Sequence, residues 1–134
     1  MFGPVRLQIA SVALLAMVGG ARPLRAQSVE SNAVMAAFVS RFPQFVEWPD
    51  EALEGRDTLD VCVAEPDPFG EVLDSLLDAE EVSGRPLRVR RLDDDTGVVG
   101  CHVLFVSSVS PLLAELLAAT AGRAILTAGE GPGV

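Results

Sequence analysis

From residue 34 the apolar positions recur first at helical and then at strand-like spacing. Val34, Met35, Phe38, Phe42 and Phe45 follow a helical period, with Val39 and Val46 beside them, which predicts a helix burying that face. Ser31 or Asn32 can cap its start. Pro43 interrupts the pattern; it removes a backbone donor and costs about 3 kcal/mol inside a helix. The helix therefore either kinks or ends near Phe42 and restarts with Pro43 as its first residue. Pro49 ends the segment, and "DEALEGRD", residues 50–57, reads as a solvated loop.

"LDVCVA", residues 59–64, reads as a strand. Asp67 followed by Pro68 reads as a cap and a first helical position. Phe69, Val72, Leu73, Leu76 and Leu77 form an apolar stripe at helical spacing, with Asp74, Ser75 and Asp78 opposite. "VSGRP" is a turn. "LRVRRL" alternates, Leu87 and Val89 on one face and Arg88 and Arg90 on the other, which suits an edge strand guarded by charge. "CHVLFVS", residues 101–107, is almost continuously apolar, as in a strand covered on both faces. Pro111 opens a third helix through Ala119, Gly122 ends it, and "AILTA" is a fourth strand. Helical crossovers between strands imply a largely parallel sheet, hence an α/β domain.

The 134-residue length fits one domain. Residues 1–26 read as a signal peptide: Arg6, an apolar run from Leu7 to Val18 too short to span a bilayer, then Gly19, Gly20 and Ala21, with cleavage near Ala26. The domain is then 27–134. It contains no Lys and sets seven Arg against 19 acids. So acidic a surface repels nucleic acid and anionic lipid and leaves proteins or small molecules as partners.

The chemistry-bearing residues do not assemble into a known catalytic pattern. The loop after the first strand, where open α/β sheets bind ligands, reads "AEPDPFG". Its carboxylates Glu65 and Asp67 would repel a phosphate, and it lacks the glycines that bring backbone N–H groups to one. A phosphorylated receiver also needs a Lys. His102 sits inside a predicted strand and no G-x-S-x-G is present; Ser107 and Ser108 read as loop hydroxyls. Cys101, His102 and a distant Cys62 lack zinc spacing. Asp93, Asp94 and Asp95 lack calcium-loop spacing, since Gly97 stands at the fifth position. The residues thus imply no cofactor, no metal and no enzymatic activity. A small-molecule crevice near Glu65–Phe69 is the alternative.

Cys62 lies in the first strand and Cys101 starts the third. An exported protein meets an oxidising compartment. A bridge requires Cα atoms within about 7 Å, so it holds only if these strands are neighbours, giving the order 2-1-3-4 with the first strand central. Two buried free thiols are the alternative.

"AAFVSRFPQFVEWP", "LDVCVAEPDPFGEVLDSLL", "VSGRPLRVRRL", "GCHVLFVSS" and "GRAILTAGEGPG" occur in that order. Together they resemble the successive motifs of the YfiR family, over about Val34 to Gly133. The resemblance implies a Rossmann-like, mostly parallel sheet with flanking helices. It also implies a periplasmic repressor that binds the periplasmic sensor domain of an inner-membrane diguanylate cyclase. An outer-membrane lipoprotein can sequester such repressors, and cyclic-di-GMP output and biofilm then rise. A homodimer is a further expectation. Phe45, Glu47, Trp48 and Pro49, with Asp67, Pro68, Phe69 and Gly70, carry the family motifs and are the expected partner contacts. Phe38, Phe42 and Phe45 are expected in the core, with Trp48 plugging the sheet edge. Family members continue beyond "GEGPG", so the domain is expected to be incomplete at its C-terminus, leaving the fourth strand an unprotected edge and the chain prone to early melting or aggregation.

Overall fold

The computed structural model describes residues 24–130. The expected signal peptide and the last residues of "GEGPGV" therefore lie largely outside the described residues. The chain divides after Glu30, and apart from the first turns of α1 everything below belongs to the unit that begins at Ser31.

The elements run α1 (Leu24–Phe45), α2 (Asp50–Leu53), β1 (Leu59–Ala64), α3 (Glu71–Asp78), β2 (Glu81–Val82), β3 (Arg85–Leu92), β4 (Val103–Phe105), α4 (Leu113–Thr120) and β5 (Leu126–Ala128), with a 3-10 turn at Thr96–Val98. The sheet order is β2-β3-β1-β4-β5. β1 pairs in parallel with β3 and β4, and β4 with β5. The four long-range strands thus take the expected order, with the cysteine-bearing β1 central. β2 corrects the picture of the sheet. It is a two-residue strand antiparallel to β3, made by the Ser83–Gly84 turn, both residues at positive φ. The fold is a mixed α/β sheet.

β1 is buried along its whole length, because both faces of the sheet are covered. One face carries Leu59, Val61, Val63, Leu87, Val103 and Phe105 under α1 and α3. The other carries Cys62, Ala64, Leu92 and Leu104 with Val98 and Leu116 of α4. α3 is anchored by Leu73 and Leu77, both buried, and truncating either to Ala would cost about 2–5 kcal/mol. Val72, expected in the same stripe, is 48% exposed; the contact face is narrower than the spacing suggested.

Several boundaries differ from the sequence reading for local reasons. α1 continues through Pro43 and ends only at Phe45, so the proline neither ends it at Phe42 nor starts a new helix. Residues 50–53 form a helical turn, not part of a loop, with Pro49 at the cap position. Asp67 does not cap α3. Its Oδ1 accepts from the N–H of Phe69 at 2.8 Å, closing a turn before the helix, and Gly70 at φ +54° redirects the chain into Glu71. Proline 68 is therefore outside the helix. α4 begins at Leu113, two residues after Pro111, because the Ser110 hydroxyl accepts from the N–H of Leu112 and holds a preceding turn. β4 is only the centre, and β5 only the last three residues, of the apolar runs that suggested them.

Candidate functional site

The expected contact residues fall at opposite ends of the sheet. Asp67, Pro68, Phe69 and Gly70 lie beyond the carboxyl end of β1. Phe69 is buried, with its ring 4.7 Å from that of Phe105. Asp67 Oδ2 accepts from Arg91 Nε at 2.8 Å. Arg91 Nη2 also donates to Asp74 Oδ2 at 2.6 Å and to the Gly70 carbonyl at 2.8 Å. Arg91 thus ties the loop to the first turn of α3. Its hydrogen bonds hold the Asp74 carboxyl below the usual carboxylate range. The crevice lined by Glu65, Pro66, Asp67, Arg91 and Pro111 exists, with a volume of about 430 Å³, but its one cation is already paired with two carboxylates.

Phe45, Glu47, Trp48 and Pro49 lie at the other end, where α1 leads into α2. The aromatic cluster is split, correcting the expectation that it is core. Phe42 packs against the core, whereas Phe38 is 59% and Phe45 is 82% exposed. The face of α1 that meets the sheet is made by Ala36 and Val39, with Ser40 and Pro43 also buried. Val34, Phe38, Arg41 and Phe45, at helical spacings of four, three and four, form a stripe on the opposite side. α1 is thus apolar on two faces, and among the described residues only one is covered. Glu47 and Pro49 are exposed. Trp48 is half-buried and packs against the core. Its Nε1 donates to the Pro43 carbonyl at 3.0 Å, satisfying an end carbonyl of α1, and its ring stands edge-on to His102 at 5.6 Å.

The residues missed by sequence reading surround His102. Asp60, in the central strand, is 1% exposed and meets three guanidiniums at a single oxygen, two of them through hydrogen bonds. Arg88 Nη2 lies 2.7 Å from Oδ2, Arg90 Nε 2.9 Å and Arg56 Nη2 3.2 Å. Thr58 Oγ1 donates to Oδ1 at 2.7 Å. The Arg90 Nε contact is an ion pair without hydrogen-bond alignment, which leaves that buried donor without a hydrogen-bond acceptor. Burial pushes the Asp60 carboxyl upward. The Arg88 and Thr58 hydrogen bonds and the charges of Arg88 and Arg90 outweigh it, so the carboxyl titrates below its usual range. Over residues 87–92 β3 is the outer strand among the described residues, since β2 pairs only with Arg85 and Pro86, but Arg88 and Arg90 reach the buried Asp60 and do not stand free in solvent. The register places Arg88 opposite Asp60 and Arg90 opposite Cys62.

The loop before β4 completes this end. Arg56 Nη2 donates to the Gly100 carbonyl at 2.8 Å, and Gly100 stands at φ +91° where a Cβ would sit 3.3 Å from Arg56 Nη1. That backbone position needs glycine. Cys101 is bonded to Cys62 with Cα atoms 5.9 Å apart, so the pair is a disulfide and not two free thiols. Arg90 Nη2 lies 3.4 Å from Cys101 Sγ. His102 Nδ1 accepts from the N–H of Asp60 at 3.0 Å, so Nε2 carries the proton and donates to the Ala52 carbonyl at 2.8 Å. Burial is the chief reason its imidazole titrates below the usual histidine range. It is a neutral, satisfied histidine that ties α2 to the sheet. The sequence did carry a signal for this cluster: Asp60 is the one charge in an otherwise apolar strand, two residues past Thr58.

None of the described helices is long and apolar enough to cross a membrane. No curated protein matches the chain. The family model described as YfiR/HmsC-like matches residues 32–134, the span that holds the whole sheet, the disulfide and both ends just described, and the chain belongs to that family.

Proposed function

We propose that this chain is a non-enzymatic periplasmic regulator that binds the periplasmic sensor domain of an inner-membrane diguanylate cyclase and lowers its output of cyclic-di-GMP. It acts by occupancy: binding one conformation of the sensor better than another shifts the population of the cyclase. Residues 1–26 serve as its export signal in this reading, and an outer-membrane lipoprotein would relieve repression by competing for it. Family membership supports the reading. The observation that carries it to particular residues is the uncovered stripe of α1, Val34, Phe38 and Phe45, at 56, 59 and 82% exposure. Large apolar side chains aligned on one helix face mark an interaction surface more strongly than singly scattered ones. Phe45 leads directly into Glu47, Trp48 and Pro49, which makes the end of α1 the contact for the sensor domain.

The test is binding of the purified chain to the isolated periplasmic domain of a diguanylate cyclase encoded beside it, read by calorimetry. The double variant Phe38→Ser/Phe45→Ser is expected to keep the parent melting temperature and to lose binding at least about tenfold, since buried aromatic anchors dominate interfaces. Unchanged binding by a folded double variant would remove this face from the proposal. A parent that sediments as a dimer and a variant that sediments as a monomer, with sensor binding intact, would assign the face to self-association.

A further inference from the structure

At the amino end of the sheet three guanidiniums gather on one buried carboxylate. Arg56, Arg88 and Arg90 all bear on Asp60, although a single guanidinium would neutralise it. A cavity of about 240 Å³ opens beside Arg56, lined also by Gly100, His102 and Arg123, with Glu51 on it as the one opposing charge. Two guanidiniums, Arg56 and Arg123, thus line the cavity with one carboxylate, Glu51. Like charges held this close repel, and the repulsion falls if an anion joins them. Their donors are only partly used. Arg56 gives Nη2 to Asp60 and Gly100. Arg123 gives Nε to the Ala119 carbonyl at 3.0 Å. The other guanidinium N–H groups of these two residues have no acceptor among the described residues. His102 contributes no charge, because both ring nitrogens are engaged as a neutral imidazole.

We propose that this cavity is a binding site for a small dianion of the phosphate type, held between Arg56 and Arg123. Guanidinium forks match the oxygens of phosphate, and charge-assisted hydrogen bonds of this kind are the stronger class. Two guanidinium forks on one opening suit the several oxygens of a phosphoryl group better than the two of a monocarboxylate. The volume lies below the roughly 300–1,000 Å³ of pockets that enclose drug-sized ligands, so the site suits phosphate itself or the phosphoryl end of a small ester and excludes a nucleotide base. It lies at the end of the sheet opposite the loop "AEPDPFG", whose carboxylates repel such a group.

The single Trp supplies the reporter, because the ring of Trp48 packs on His102 at the cavity wall. The full chain is titrated with inorganic phosphate and, separately, with glycerol phosphate, at about pH 8 where the phosphoryl group is a dianion. Sodium chloride of matched ionic strength is the control. Saturable change in Trp48 fluorescence together with a raised melting temperature is expected with one or both phosphates and not with chloride. Response to the ester alone assigns the ligand to a phosphorylated metabolite, and response to both assigns it to the phosphoryl group itself. Arg123→Gln, an exposed residue apart from Asp60, is expected to fold as the parent and weaken binding at least about tenfold. Arg56→Gln is expected to do the same where it folds. No response beyond that to chloride, or equal response in folded Arg123→Gln, overturns the site.

Discussion

Asp60 concentrates the energetics of the molecule in one side chain. A carboxylate this deeply buried is stable only because three guanidiniums and the Thr58 hydroxyl meet it. Removing one partner of a buried pair costs about 3–5 kcal/mol, because the remaining charges are left uncompensated. Asp60→Ala is therefore expected to lower stability by at least this much in urea unfolding, since it strands three cations. Arg88→Gln, which removes the most exposed of the three, should cost far less. His102 adds a pH dependence of definite sign. Its native pKa lies below the usual value of about 6.5, so on acidification the unfolded chain takes up the proton first. The stability it supports is present above about pH 6.5 and is lost as pH falls through its native pKa. Asp60, also depressed, adds loss of the same sign below about pH 4. Urea midpoints should therefore already fall over the interval that opens just below about pH 6.5. In His102→Gln, which loses the titrating group, the curve should be flat across that interval; an equally steep parent and variant would show that another group titrates there.

Elements were more legible than the faces they present. The helical period of α1 and α3, the apolar run of β4 and the place of β1 at the centre followed from spacing and from the two cysteines. Local turn chemistry moved the boundaries, since Asp67 and Ser110 each closed a turn that delays a helix. Spacing alone assigned all the aromatics of α1 to the core, because a period of 3.6 shows that residues share a face but not which face meets the sheet. Small residues decided it: Ala36 and Ser40 let the helix approach closely, and Phe38 and Phe45 were left outside. The Asp60 site was illegible because its arginines come from a loop and a parallel strand some 28 residues away, and only register brings them together. At this scale Trp48→Phe tests how α1 is joined to the rest. The ring remains and the bond to the Pro43 carbonyl is lost, so the expected cost is about 1 kcal/mol, seen as a lower urea midpoint with Phe38 and Phe45 still exposed. Trp48→Ala should cost more, since it also vacates the packing against His102.

At the scale of the whole molecule the two ends of the sheet are held by different means. The carboxyl end relies on Arg91 and the Phe69–Phe105 contact. The amino end relies on the Cys62–Cys101 bond, which joins neighbouring strands across a sequence separation of 39 that includes α3, β2 and β3. A crosslink of that span mainly restricts the unfolded chain, and the chain-entropy relation gives about 4 kcal/mol. It also fixes Cys101 beside Arg90 and the Gly100 carbonyl beneath Arg56, so it shapes the native arginine cluster as well. These two effects separate in denaturant. If the bond acts only on the unfolded chain, Cys62→Ala/Cys101→Ala lowers the urea midpoint and raises the m-value, because the uncrosslinked chain exposes more surface on unfolding. The pH dependence set by Asp60 and His102 then stays as in the parent. If it also positions the cluster, the same variant shows a weaker acid dependence, because Arg90 and Arg56 hold the Asp60 carboxylate less firmly. The contacts of Arg90 and Arg56 with residues 99–101 favour the second outcome: a lower midpoint, a larger m-value and a shallower loss of stability below about pH 4.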